Sequence, residues 1–294
     1  MASVQANGIT IEYEEHGTGD PLLLVMGLGG QLVDWPPRLV DRLVDTGFRV
    51  IRFDNRDSGL STEFASRPPT AGQLAKAVVF KRPLAAEYLL SDMADDAVGL
   101  LDALDVARAD VVGMSMGGMI AQSIAIQHPA RVRSLTSIMS TTGSRRVGQP
   151  TPRVIRKSVR RKPPTRETAI DQAVAVFREI SGPAFDEREF REFARASIER
   201  SYRPAGTARQ TAAIIASPDR TDQLRRLDVP TLVVHGLVDP LVRPSGGIAT
   251  AKAIPNSRLL MFNDMGHDFP PTRAAEIVDA IAHNATRAAA PTPA

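Results

Sequence analysis

Gly113-Met114-Ser115-Met116-Gly117 sets a serine where a short apolar stretch, Ala109 to Val112, gives way to a helical one. Glycines on both sides permit a sharp turn and close packing of strand on helix, which presents the serine hydroxyl from a strained backbone. The first N–H groups of the helix have no intrahelical acceptor and point toward any anion formed there. Such a site suits attack by Ser115 on a carbonyl carbon. A glycine-rich turn with an incidental serine is the plainer account, and the strand-to-helix setting weighs against it.

A serine hydroxyl is a weak nucleophile until a base takes its proton. Five histidines are available. His16 lies in the opening hairpin, His128 precedes a proline at a helix end, His235 ends a strand before Gly236, and His283 belongs to the last helix. His267, in Asp264-Met265-Gly266-His267-Asp268, follows the last apolar strand directly and is placed to reach over the carboxyl edge of a sheet. It is the expected general base. The acid that orients it should end a strand between serine and histidine. Asp239, in His235-Gly236-Leu237-Val238-Asp239-Pro240, meets that description, whereas the strand end after Met139 offers only Ser140, Thr141 and Thr142. Asp268 adjoins His267 and would have to fold back on it; Asp239 as a plain turn residue before proline is the competing account. A tetrahedral intermediate needs two N–H donors. Met116 supplies one, and Gly27-Leu28-Gly29-Gly30, after the first long apolar strand, supplies the other through Leu28, with Gly27 next.

These residues need strands whose carboxyl ends converge. Leu22 to Val25 is apolar at every position, as a strand covered on both faces must be. An opening hairpin turns at Asn7-Gly8. After Gly30 helical stretches (36–46, 91–104, 116–128) alternate with apolar strands (48–53, 109–112, 132–139), which argues for βαβ units. From Thr141 to about Arg226 the chain is polar, helical and rich in proline. The alternation resumes with the strand 229–234, a helix 244–254, a strand 258–262 and a last helix 271–283. The reading is an α/β protein: a mostly parallel central sheet flanked by helices with an inserted helical cap. The expected divisions are 1–143 and 227–287 for the two parts of the core, 144–226 for the cap, and 288–294 for a flexible tail.

Forty-three per cent of the 294 residues are hydrophobic and 23% are charged, a composition able to bury a sizeable core. With no cysteine, disulfides, Cys-ligated metals and thiol nucleophiles are excluded. A net charge of +3 does not argue for nucleic acid. Nine of the 36 basic residues nevertheless fall between Arg145 and Arg166 with no acid among them. No apolar run reaches the roughly 20 residues of a membrane span and no signal sequence opens the chain, so a cytoplasmic location is expected.

With its elbow at Ser115, Asp239 and His267, the chain resembles the α/β-hydrolase superfamily over nearly its whole length outside the cap. Phe53-Asp54-Asn55-Arg56-Asp57-Ser58-Gly59-Leu60-Ser61 is similar to that family's D-x-R-G-x-G-x-S turn, departing at Asp57, where glycine is usual. Together with Leu24-Val25-Met26-Gly27 in place of His-Gly, this resembles the bacterial aclacinomycin methylesterase-like subgroup. The resemblance implies the α/β-hydrolase fold and ester hydrolysis through an acyl-serine intermediate, with no metal or organic cofactor. Relatives acting on epoxides or halides carry aspartate where Ser115 stands, which sets those reactions aside.

The expected partner is a small-molecule ester, handled by a monomer or a weak homo-oligomer. Alternatives are a lipase or thioesterase acting on long acyl chains, a C–C bond hydrolase or perhydrolase on the same three residues, and a non-catalytic ligand receptor on the same fold, against which the intact serine, histidine and aspartate argue. Substrate choice falls to the cap. There Ile170, Ala173, Val174 and Phe177 read as a packing face, and Phe185, Phe190 and Phe193 as core or pocket. Arg145, Arg146, Arg153, Arg156, Lys157, Arg160, Arg161 and Lys162 suit either a solvated surface or contact with an anionic substrate tail or a membrane surface.

Overall fold

Leu22, Leu23, Leu24 and Val25 are all buried because their strand is covered on both faces, and alternate side chains divide between two apolar layers. Leu23 and Val25 join one layer, Leu22 and Leu24 the other. The computed structural model describes residues 1–80, 82, 84–161 and 164–289.

The hairpin of β1 (Ala2–Ala6) and β2 (Ile9–His16) turns through Asn7 and Gly8, both at positive φ, 48° and 76°. Six further strands follow: β3 (Asp20–Val25), β4 (Phe48–Phe53), β5 (Ala109–Met114), β6 (Val132–Ile138), β7 (Thr231–Gly236) and β8 (Ser257–Phe262). They form one eight-stranded sheet in the order β1-β2-β4-β3-β5-β6-β7-β8. Only the β1–β2 and β2–β4 pairs are antiparallel. The carboxyl ends of β3, β5, β6, β7 and β8 therefore lie side by side.

Helices α1 (Pro37–Asp45), α2 (Ala71–Phe80), α3 (Leu90–Ala103) and α4 (Met116–Gln127) belong to the first half of the chain, and α5 (Pro152–Arg160), α6 (Ala169–Ile180), α7 (Glu187–Arg200), α8 (Pro204–Ala216) and α9 (Thr221–Leu224) fall between β6 and β7. The chain closes with α10 (Ser245–Ala253) and α11 (Ala274–Ala289). α3 and α4 cover one sheet face through Leu90, Met93, Ile120 and Ile124; α1 and α11 cover the other through Leu39, Leu43, Ile277 and Ile281. α2 has no counterpart in the sequence reading, because its apolar residues make no buried stripe: Ala77 alone is buried and the consecutive Val78, Val79 and Phe80 are exposed. α11 runs on through the alanine-rich end to Ala289, so the first two residues of the expected tail are helical; 290–294 lie outside the described residues. Lys162 of the basic cluster also lies outside them. Among the described residues no helix is long and apolar enough to cross a membrane.

Within 144–226, Phe177 stacks on Phe190 at 4.2 Å between ring centres, and Phe185 and Phe193 lie 5.5 and 6.0 Å from the same ring. This aromatic knot joins α6 to α7 and leaves Val174 as the one buried member of the expected packing face.

Candidate active site

Ser115 occupies the single residue between β5 and α4, with φ 56° and ψ −117°. A non-glycine residue holds such a conformation only where its surroundings over-determine it, at a cost of order 1–3 kcal/mol. Here its N–H donates to the Ile138 carbonyl at 2.9 Å, and its carbonyl accepts from Ser140 Oγ at 2.8 Å and from the Gly118 N–H at 3.0 Å. The flanking glycines are required by contact: a β-carbon on Gly113 would stand 2.1 Å from the Gly117 oxygen, and one on Gly117 would stand 1.9 Å from the Val25 oxygen. The turn can be made this tightly only without those side chains.

Asp239 and His267 arrive from the loops after β7 and β8. His267 Nδ1 lies 2.7 Å from Asp239 Oδ2, and His267 Nε2 lies 2.9 Å from Ser115 Oγ. With the proton on Nδ1 donated to the carboxylate, Nε2 presents its lone pair to the serine hydroxyl. The other carboxylate oxygen, Asp239 Oδ1, accepts the N–H groups of Leu241 and Val242 at 2.8 and 2.9 Å, which fixes the carboxylate plane. All three residues are drawn from strand ends that adjoin through β6.

His235, set aside in the sequence as an ordinary strand-end residue, is fully buried 3.6 Å from Asp239 Oδ2. Its Nε2–H donates to the Val242 carbonyl at 2.7 Å. Burial pushes its pKa down, against the opposing pull of that bond and of Asp239. Neutral, it leaves the charge of Asp239 to His267.

The loop after β3 abuts the serine: a β-carbon on Gly27 would meet Ser115 Cβ at 3.3 Å. The Gly29 N–H donates to Gln210 Oε1 at 2.8 Å and the Gly30 N–H to the Gly27 carbonyl at 3.2 Å, while the Leu28 N–H has no acceptor among the described residues. Met116 is the first residue of α4, so its N–H has no intrahelical acceptor either. The N–H groups of both residues picked out from the sequence are thus without an acceptor among the described residues.

The helices of 152–224 hold these loops through polar anchors that sequence reasoning did not find. Buried Gln210 of α8 bonds Gly29 and, through Nε2, the Arg56 carbonyl at 2.7 Å. Asp57, the residue that departs from glycine, sits at φ 68° and takes Arg209 of α8 in a two-pronged ion pair at 2.7 and 2.8 Å, with the Tyr88 hydroxyl at 2.6 Å. Burial pushes the Asp57 carboxyl up, and these donors, with the Phe64 N–H, outweigh it and hold the pKa below the usual value. Arg200 of α7 reaches buried Asp54 at 2.8 Å. Asp268 does fold back, but onto backbone: its Oδ1 accepts the N–H groups of Gly182 and Gly266, both at 3.0 Å, while the His267 N–H donates to the Ile180 carbonyl at 2.7 Å. The turn that follows α6 is therefore tied to the histidine loop at its start, through Ile180 and Gly182. Only the oddity of Asp57 within its motif signalled any of this in the sequence.

The family described as alpha/beta hydrolase fold matches residues 20–274. A rhodomycin D methylesterase of Streptomyces sp. (strain C5) is 30% identical over 285 residues, spanning 86% of this chain and 88% of the relative. A 2-hydroxymuconate semialdehyde hydrolase of Pseudomonas sp. (strain CF600) is 28% identical over 264 residues, 89% of this chain and 85% of the relative. Among solved structures, the enol-lactonase of Burkholderia xenovorans LB400 superposes with a TM-score of 0.73 at 24% identity, covering 97% of this chain and all of that one.

Proposed function

This chain belongs to the alpha/beta hydrolase fold family, and we propose that it hydrolyses carboxylic esters through an acyl-serine intermediate on Ser115. The observation that carries the reading is the unbroken line of hydrogen bonds from Ser115 Oγ through His267 to Asp239, at 2.9 and 2.7 Å. His267 Nε2 takes the hydroxyl proton as Oγ attacks the ester carbonyl; the imidazolium, stabilised by Asp239, then returns that proton to the leaving alcohol. The developing oxyanion is met by the N–H groups of Met116 and Leu28. A water deprotonated by the same histidine releases the acid and restores the serine. Residues 1–143 and 227–287 supply this machinery, and the helical cap 144–226 selects the substrate.

The methylesterase relative supports an ester with a small alcohol part, and the reading takes the acyl part to be short as well. A fluorophosphonate probe should label Ser115, and the ratio of kcat/KM for p-nitrophenyl butyrate to that for the palmitate ester should lie far above one, with Ser115→Ala protein as the blank. Absence of labelling at Ser115 would sink the serine-hydrolase reading; a ratio far below one would replace the small ester with a long acyl chain. The relative that acts on 2-hydroxymuconate semialdehyde supports a second reading, C–C bond hydrolysis on the same three side chains. Turnover of that compound without turnover of methyl or p-nitrophenyl esters would select it.

A further inference from the structure

Away from the serine, α5 and the C-terminal half of α6 border an open groove of about 580 Å³. Six cations line it, Arg153, Arg156, Lys157, Arg160 and Arg161 from α5 and its C-terminal end and Arg178 from α6. Spacings of three and four residues put the α5 cations on one face, where like charges repel. The fold compensates with one carboxylate: Glu179, whose side chain is 6% exposed, lies 3.2 Å from Lys157 Nζ, 3.7 Å from Arg153 Nε and 3.8 Å from Arg161. Arg178 is engaged by Glu187. Arg156 and Arg160, both exposed, have no carboxylate partner among the described residues. α5 itself buries only Val154, so apolar packing does not account for a helix that concentrates charge this way. One buried carboxylate cannot balance the groove, and a concave set of guanidinium groups is the arrangement that takes phosphate oxygens in paired hydrogen bonds.

The groove is also close in the chain to the site. Ile180, the residue after Glu179, accepts the His267 N–H at 2.7 Å. We propose that the α5–α6 groove binds a phosphate-ester group, carried by the molecule whose acyl ester Ser115 cleaves. As a statement about substrate this rests on the ester-hydrolase reading; as a binding site it does not. The shared chemistry is a phosphate mono- or diester anion, on a soluble substrate tail, which agrees with a short acyl ester, or on a lipid headgroup, which would replace it with a long acyl chain.

Ser115→Ala protein, which cannot turn over, is titrated with sodium pyrophosphate by calorimetry at 25 mM NaCl, and in parallel sedimented with phosphatidylglycerol vesicles against phosphatidylcholine ones. Affinity is expected to fall at least tenfold in the Arg156→Gln/Arg160→Gln double variant and to weaken steeply at 300 mM NaCl. Because both positions are exposed, the double variant should melt with the parent, which circular dichroism checks. Pyrophosphate binding that the double variant removes assigns a soluble tail; vesicle binding removed by it without pyrophosphate binding assigns a lipid headgroup. Absence of binding in both arms, or binding the double variant leaves unchanged, overturns the proposal. Neither result bears on whether Ser115 hydrolyses esters, since no turnover is read.

Discussion

Ten of the twelve residues of α4, which follows Ser115, are buried, whereas α7, between β6 and β7, buries one of fourteen, Ala194. The sheet and its flanking helices hold Ser115, Asp239 and His267 by removing apolar surface from water, a force without direction that does not depend on ionisation. The helices between β6 and β7 grip the histidine loop and the loops after β3 and β4 by directed polar bonds: Arg209 on Asp57, Arg200 on Asp54, Gln210 on Gly29, and the Ile180 carbonyl and Gly182 N–H on the histidine loop. One region sets where the reacting atoms are, the other how firmly their loops stay there. The two should part company under mutation and under pH.

The largest effect belongs to the first region. Ser115→Ala should lower kcat/KM for p-nitrophenyl butyrate by about 10⁴-fold or more. The urea midpoint should barely move, because the side chain's one hydrogen bond is to His267. A loss below tenfold would mean the chemistry lies elsewhere. In the second region stability carries the signal. Arg209→Met leaves the Asp57 carboxylate buried without its ion pair and should cost about 3–5 kcal/mol in urea denaturation. Adding Asp57→Asn should recover much of that. The depressed Asp57 pKa gives a sign as well: the stabilisation is complete above the ordinary aspartate pKa near 3.8 and is lost as pH falls below it through the folded value.

The same division explains what could be read from the sequence. Leu22 to Val25 announces a doubly covered strand because burial on both faces demands an apolar residue at every position, and Gly113 and Gly117 announce the elbow because no side chain fits there. Asp239 and His267 follow from strand order. The polar anchors carry no such local pattern: Gln210 and Arg209 are unremarkable in a helix until folding sets them against residues more than 150 positions away. Asp268 was legible only as a rejected candidate for the acid, since its partners are backbone N–H groups, one of them in another segment. α2 escaped because its apolar residues form no buried stripe.

A smaller effect should expose how the two regions meet. Asp268→Ala frees the Gly266 N–H beside His267 and the Gly182 N–H in the turn after α6, and should lower kcat about ten- to hundredfold with KM little changed, since a positioning defect acts on the reacting geometry. Asp268→Asn keeps an oxygen acceptor in place and should restore most of the rate. Equal losses in KM and kcat, or failure of asparagine to rescue, would reduce Asp268 to a general structural support.

Asp34, at the other junction, tests the pH side of the contrast with the opposite sign to Asp57. Its Oδ2 accepts the Gln31 N–H at 2.9 Å, and Gln31 Nε2 in turn donates to the Ser197 carbonyl of α7 at 2.6 Å. Burial raises the Asp34 pKa from 3.8 to about 6, the repulsion of Asp54 adding to it while the Gln31 and Ser197 bonds and the charge of Arg200 oppose it. Between those values the folded chain keeps a proton that the unfolded chain has released, so unfolding free energy falls as pH rises from 4 to 6 and levels off above. A shift of that size corresponds to about 3 kcal/mol of net ionisation penalty at neutral pH, the attraction of Arg200 already included. Asp34→Asn keeps the acceptor for Gln31 and cannot ionise. It should therefore flatten that slope and gain about 1 kcal/mol at pH 7, read from urea denaturation at a series of pH values. If the slope persists in the asparagine variant, the carboxyl responsible lies elsewhere, and the junction at Gln31 is held as independently of pH as the sheet.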